Sequence, residues 1–168
     1  MAKISDPKVM DYLNKALTNE LTAVNQYWLH YRLLEHWGVE RLAAFERKES
    51  IEEMEHADWL TERILFLDGH PNFQRLGSVR TGETVEEVIQ ADLDLEMEAI
   101  PLLRDALQHC EDTRDYVSRD LFAKILHNEE EHLDYLERQQ EMIERMGIQN
   151  YIQLQSKPAD EEKKDGGY

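Results

Sequence analysis

Four acids and two histidines recur in this chain at spacings that suit metal chemistry: Glu20, Glu53 and His56, then Glu96, Glu129 and His132. Each E-x-x-H pair, Glu53/His56 and Glu129/His132, puts a carboxylate and an imidazole one turn apart on a helix. Chance alone yields roughly one such pair in a chain so rich in glutamate, so the pairs by themselves say little. The longer spacing is more specific. Glu20 precedes Glu53 by 33 positions and Glu96 precedes Glu129 by the same 33, so one shift of 76 carries the first triplet onto the second. Two related helical hairpins meeting around a pseudo-symmetric site would have this pattern.

The triplets fall where a core should be. Leu13, Ala16, Val24, Tyr27, Tyr31 and Leu34 form an apolar stripe that includes Glu20. Leu42, Phe45, Leu60, Ile64 and Leu67 form a second, interrupted by Glu49, Glu53 and His56. Val85, Ile89, Ala99 and Leu103 enclose Asp92 and Glu96, and Phe122, Ile125, Leu136 and Ile143 enclose Glu129 and His132. A buried, unpaired carboxylate costs several kcal/mol or takes up a proton, so four converging ones need positive charge. Arg63 and Lys48 are the nearby candidates on the second stripe. Two divalent cations would neutralise the four carboxylates more economically, with one imidazole for each. Carboxylate-rich ligation of this kind suits iron or manganese better than structural zinc, and a metal pair can pass two electrons to dioxygen or peroxide.

Positioning these residues requires four long helices. Apolar residues recur at helical spacing throughout, with no sustained strand-like alternation, so the fold class is all-α. Asp6-Pro7 reads as an N-cap with proline at the first helical position, opening a helix that ends at Gly38. A second helix spans about Val39 to Asp68 and stops at Gly69-His70-Pro71. Thr84 and Glu87 form a capping box that opens a third helix reaching about Cys110, and a fourth runs from about Asp115 to Met146, closed by Gly147. Pro101 deletes one backbone hydrogen bond in the third helix, where a kink or bulge is expected. Residues 69–83 lack a helical stripe; short links within each pair and this long one between them predict a four-helix bundle with a crossover. IQNYIQLQ reads as a short fifth C-terminal helix. Residues 1–157 form one domain, and 158–168 read as a charged, disordered tail.

Composition bounds the partners. With 19 Lys+Arg against 36 Asp+Glu the formal charge is −17, which argues against nucleic acid and anionic lipid and favours cations. Cys110 is the only cysteine, so no intrachain disulfide forms. No apolar run approaches the ~20 residues needed to span a bilayer, and MAKISDPKVMDYL lacks the apolar core of a signal peptide. A cytoplasmic protein is the expectation.

Several segments together resemble the bacterioferritins: NELTAVNQY, ESIEEMEHAD, ERILFLDGHPN, ADLDLE, DYVSRDL, NEEEHLDYLE and GIQNYIQLQ. The resemblance covers nearly the whole chain. It implies a ferritin-like bundle in which Glu20, Glu53, His56, Glu96, Glu129 and His132 are the ligands of a dinuclear iron ferroxidase site, with Glu53 and Glu129 bridging. It further implies oxidation of Fe(II) by dioxygen or hydrogen peroxide and storage of ferric mineral in a hollow homo-oligomeric shell of 24 subunits. Met54 lies about 100° around the helix from Glu53 and cannot face the same core. Read alone it is an ordinary surface methionine. By resemblance, Met54 from each of two subunits would hold one haem b on a two-fold axis, with a small ferredoxin as electron donor for iron release.

Some members carry a histidine and an acid as an additional inner-surface iron site; the matching positions here are Lys48 and Glu52, and the chain departs from the pattern at Lys48, whose ammonium repels Fe(II). Tyr27 reads as a radical or hydrogen-bonding residue beside the site, and at least equally as a core tyrosine with a satisfied hydroxyl. Trp28, Trp37 and Trp59 read as packing or interface residues, and His30, His36, His70, His109 and His127 as structural or exposed. The rival readings are a ferritin-like diiron peroxidase or oxygenase acting as a small oligomer, and a non-catalytic haem-binding bundle whose acids are merely ion-paired.

Overall fold

Helix starts fall where side chains can cap them. Asp6 accepts from Lys8 N at 2.8 Å, Thr84 Oγ1 from Glu87 N at 3.1 Å and Asp115 from Ser118 N at 3.1 Å, each satisfying an orphan donor of a first turn. The computed structural model describes residues 6–157. They form α1 (Pro7–His36), α2 (Glu40–Phe66), α3 (Val85–Asp112), α4 (Tyr116–Met146) and α5 (Ile148–Gln155), with no strand among the described residues. The predicted tail, 158–168, lies outside them.

Three helix ends share one geometry, in which the chain passes through the left-handed region and two amides turn back onto the last carbonyls. At the end of α1 the residue is Gly38, with φ +83°. At the ends of α2 and α3 it is Asp68 (φ 59°) and Arg114 (φ 61°). Gly69, expected to stop the second helix, instead donates to Ile64 O at 2.9 Å. The stop therefore lies one residue earlier, on an aspartate, a residue type that tolerates this conformation better than most. α3 continues through Pro101 as one helix.

α1 packs chiefly on α2 and α3 on α4, and the hairpins meet along α1 and α3. The result is a four-helix bundle with α5 across one end, where Tyr151 is fully buried and donates to Gln139 Oε1 at 2.8 Å. The apolar core is divided. One cluster, including Leu13, Leu60, Leu103 and Phe122, fills one end of the bundle; another, including Leu34, Leu42, Ile89 and Leu136, fills the other. The predicted acid layer lies between them.

The crossover between α2 and α3 is laced along α1 by polar residues on one side of that helix. Asn14 accepts from Asn72 N (2.9 Å), Thr22 from Gly77 N (2.9 Å), Gln26 from Arg80 N (3.1 Å) and His30 Nε2 from Gly82 N (3.0 Å). A segment without its own secondary structure thus finds partners for its amides. Gly82 has a second constraint, since a Cβ there would collide with the backbone of Val88 at the start of α3. Gly82→Ala is expected to destabilise the fold by roughly 1–3 kcal/mol, read as a lower thermal midpoint; an unchanged midpoint would show that the loop can shift freely.

Candidate metal centre

All six residues predicted from the spacing converge between the two apolar clusters. Glu20 comes from α1, Glu53 and His56 from α2, Glu96 from α3, and Glu129 and His132 from α4. Each is at most 4 % exposed. They divide into two overlapping quartets, Glu20/Glu53/His56/Glu129 and Glu53/Glu96/Glu129/His132, within each of which the candidate ligand atoms lie no more than 4.8 Å apart.

The two shared acids face both ways. Glu53 sets Oε2 at 3.2 Å from His56 Nδ1 and Oε1 at 3.0 Å from His132 Nδ1. Glu129 sets Oε1 at 3.0 Å from His56 Nδ1 and Oε2 at 3.5 Å from His132 Nδ1. Glu20 lies 3.5 Å from His56 Nδ1 alone, and Glu96 3.7 Å from His132 Nδ1 alone. Two carboxylates therefore span the halves and two close the ends.

The protonation balance follows from burial and crowding. Burial pushes Glu20 and Glu96 well above the usual carboxylate range, helped by the neighbouring acids. Burial would also raise Glu53, but hydrogen bonding from Glu20 and both imidazoles outweighs it and holds that carboxyl well below the usual range. For His56 and His132 burial alone favours the neutral ring; the surrounding carboxylates outweigh it and push both imidazoles far up. Without metal, protons supply the positive charge that the acids require.

Partners of the outer ring nitrogens were not legible as such in the sequence. His56 Nε2 lies 3.0 Å from the Asn128 amide nitrogen. His132 Nε2 faces Glu49, in close contact, and Glu52 at 3.5 Å. Such contacts fix ring orientation and ligand basicity. The shift of 76 maps Glu52 onto Asn128, so the halves match in position but differ in charge behind the ring.

Arg63, a candidate counter-ion, is engaged elsewhere: it binds Asp115 at 3.0 Å and Ser118 at 2.9 Å. Lys48 is exposed. Neither enters the centre. The local-cation alternative therefore loses Arg63, which is tied to the α4 cap. Tyr27 is fully buried and donates to Glu96 Oε1 at 2.6 Å, so its hydroxyl is satisfied by one of the six residues of the centre. Trp59 lies with its ring 5.3 Å from that of His56 and carries Lys124 Nζ 3.6 Å above it.

A ferritin-like domain model matches residues 10–146. The chain is 50 % identical over 156 residues to a bacterioferritin of Brucella melitensis, covering 93 % of this chain and 97 % of that one. It is 46 % identical over 155 residues to a bacterioferritin of Rhodobacter capsulatus (92 % and 96 % covered) and 49 % identical over 147 residues to one of Streptomyces coelicolor (88 % of each). The chain belongs to the bacterioferritin family. Membership supports iron storage as its broad role, and the buried carboxylate and histidine quartets are the place where a bacterioferritin fold of this sequence could hold metal.

Met54 is elsewhere, as its rotation from Glu53 requires: it is 42 % exposed on the outside of α2. Arg47, Ile51 and Met54 follow one another at helical spacing, and the Arg47 guanidinium lies 5.7 Å from the centroid of the exposed Trp28 ring on α1. No described helix is long and apolar enough to cross a membrane.

Proposed function

We propose that the protein is a ferroxidase that binds two Fe(II) ions per subunit as substrate, oxidises them with dioxygen or hydrogen peroxide, and releases Fe(III) for storage as mineral. The observation that carries this reading is the pair of quartets sharing Glu53 and Glu129, each shared carboxylate turning one oxygen to His56 and the other to His132. Glu20 and Glu96 would each serve one ion as terminal ligands. Bound there, an iron pair supplies two electrons to the oxidant. Four carboxylates balance two divalent cations, and the imidazoles give up their protons to ligate. Glu49 accepts at the outer nitrogen of His132, and Asn128 would do the same for His56 with its amide oxygen turned to the ring, so that each Nδ1 stays aimed inward. The two apolar clusters hold the helices around the site on both sides.

Family membership supports assembly into a hollow shell of 24 subunits, in which the −17 charge of each chain favours cation accumulation. Particle size separates this reading from a small diiron peroxidase or oxygenase. Fe(II) titration followed by stopped-flow absorbance tests the chemistry: a fast phase saturating at two irons per subunit is expected, and its absence would sink the proposal.

The same reading gives Met54 a separate task, axial ligation of haem b shared with a second subunit, with a ferredoxin-type donor passing electrons inward for iron release. Its exposure on an outward stripe supports this. Met54→Leu is expected to remove haem absorbance while the fast iron phase persists, because residues 53 and 54 face different directions. Retention of the haem spectrum would rule out the axial role.

A further inference from the structure

Glu46 lies outside the six-residue set. It is 0 % exposed, yet neither carboxyl oxygen has a hydrogen-bond partner. It faces Asp92 of α3 and His30 of α1, with one candidate ligand atom from each of the three residues within 4.8 Å of the others. All three are fully buried.

The hydrogen bonds around this trio locate its protons. Gly82 N–H donates to His30 Nε2 at 3.0 Å, so that nitrogen is an acceptor and the ring proton sits on Nδ1. Nδ1 in turn lies 2.8 Å from Asp92 Oδ1, which also accepts from Gln26 Nε2 at 2.9 Å. Two donors on one oxygen make Asp92 the better-stabilised acceptor of the two acids, since Glu46 receives none. Its other oxygen is buried and has no donor, while a Glu46 oxygen lies within 4.8 Å of an Asp92 oxygen. With both nitrogens of His30 engaged, a cation here would find only two carboxylates, short of the six or more oxygens that hard cations take. A single proton on Glu46 satisfies the arrangement instead.

We propose that Glu46 is held as a neutral carboxylic acid donating to the Asp92 carboxylate, a positioning pair that ties α2 to α3 beside the metal centre and keeps a further negative charge out of its field. Burial first, then Asp92, Glu49 and Glu96, push the Glu46 carboxyl well above the usual range. The tie links two helices that are not principal packing partners, since the main contacts run α1 to α2, α3 to α4 and α1 to α3. The metal-centre reading supplies its functional meaning; the proton accounting stands without it.

Infrared spectroscopy of the zinc-loaded, full-length protein at neutral pH tests the pair. Zinc clears protons from the carboxylates it binds, so remaining protonated-carboxyl C=O absorption comes from elsewhere. That absorption is expected to persist, to shift on carboxyl-13C labelling of glutamate but not aspartate, and to vanish in Glu46→Gln, whose amide still donates to Asp92 and leaves zinc uptake unchanged. Absence of the band, a response to the aspartate label, or its survival in Glu46→Gln would overturn the proposal. So would an extra zinc per subunit that Glu46→Gln removes. Failure to bind zinc at all would instead strike the metal-centre reading, and the difference between metal-free wild type and Glu46→Gln would still decide the pair.

Discussion

Glu129→Ala is expected to abolish the fast iron-oxidation phase and to leave the particle assembled. Glu129 presents one oxygen to each half of the centre, so its removal takes a ligand from both ions together. Loss of a residue that merely supports a metal ligand typically costs ~10–100-fold in affinity or activity, and loss of a shared ligand should exceed that. Glu20→Ala removes a ligand from the His56 half alone and should leave the other half able to take up one ion. Assembly should survive both changes, because the apolar clusters holding the bundle lie on either side of the acid layer. A thermal-shift titration with zinc supplies an independent readout. The rise in midpoint with added metal, which reflects binding to the native state alone, should largely disappear in Glu129→Ala. An unaltered fast phase in that variant would disprove the bridging assignment.

The six-residue cluster was legible because it breaks a pattern at regular positions. Glu20, Glu53, His56, Glu96, Glu129 and His132 each occupy a register that elsewhere holds leucine or isoleucine, and the shift of 76 relates them. Both features are properties of helical spacing, which sequence records directly. Contacts between helices are recorded less well. Arg63 lies two turns from His56 and is plausible as a counter-ion by spacing, but its guanidinium turns to the start of α4, where Asp115 and Ser118 take it. Asn128 adjoins a predicted ligand, yet only the rotation of α4 against α2 brings it onto His56. Glu46 was missed although it sits at the same helical spacing as Glu49 and Glu53; its partners, Asp92 and His30, come from two other helices. The crossover looked structureless for a related reason. Its hydrogen bonds run to α1 across 52 to 58 residues of sequence, and no local motif announces them.

Metal affinity is expected to rise steeply with pH, because binding must displace protons that the empty centre holds firmly. His56 and His132 are both raised far above ordinary histidine by the carboxylates around them. Each displaced proton contributes about a factor of ten per pH unit, so two imidazoles give roughly 100-fold per unit for the pair of ions. Glu20 and Glu96, also raised, steepen the dependence wherever they remain protonated. The sign for the metal-free fold differs. Stability from the raised histidines is fully present below the ordinary value of about 6.5 and is lost only as pH rises through their folded values. Stability from the depressed Glu53 is present above about 4.5 and is lost as pH falls through its folded value. The metal-free bundle is thus held by its imidazolium–carboxylate contacts under conditions that oppose metal uptake, and zinc should raise the thermal midpoint far more at alkaline than at acid pH. Calorimetric titration in two buffers of different ionisation enthalpy counts the protons released. Release of at least one proton per bound zinc is the expected result, while binding with none would mean that the imidazoles are already neutral in the empty centre.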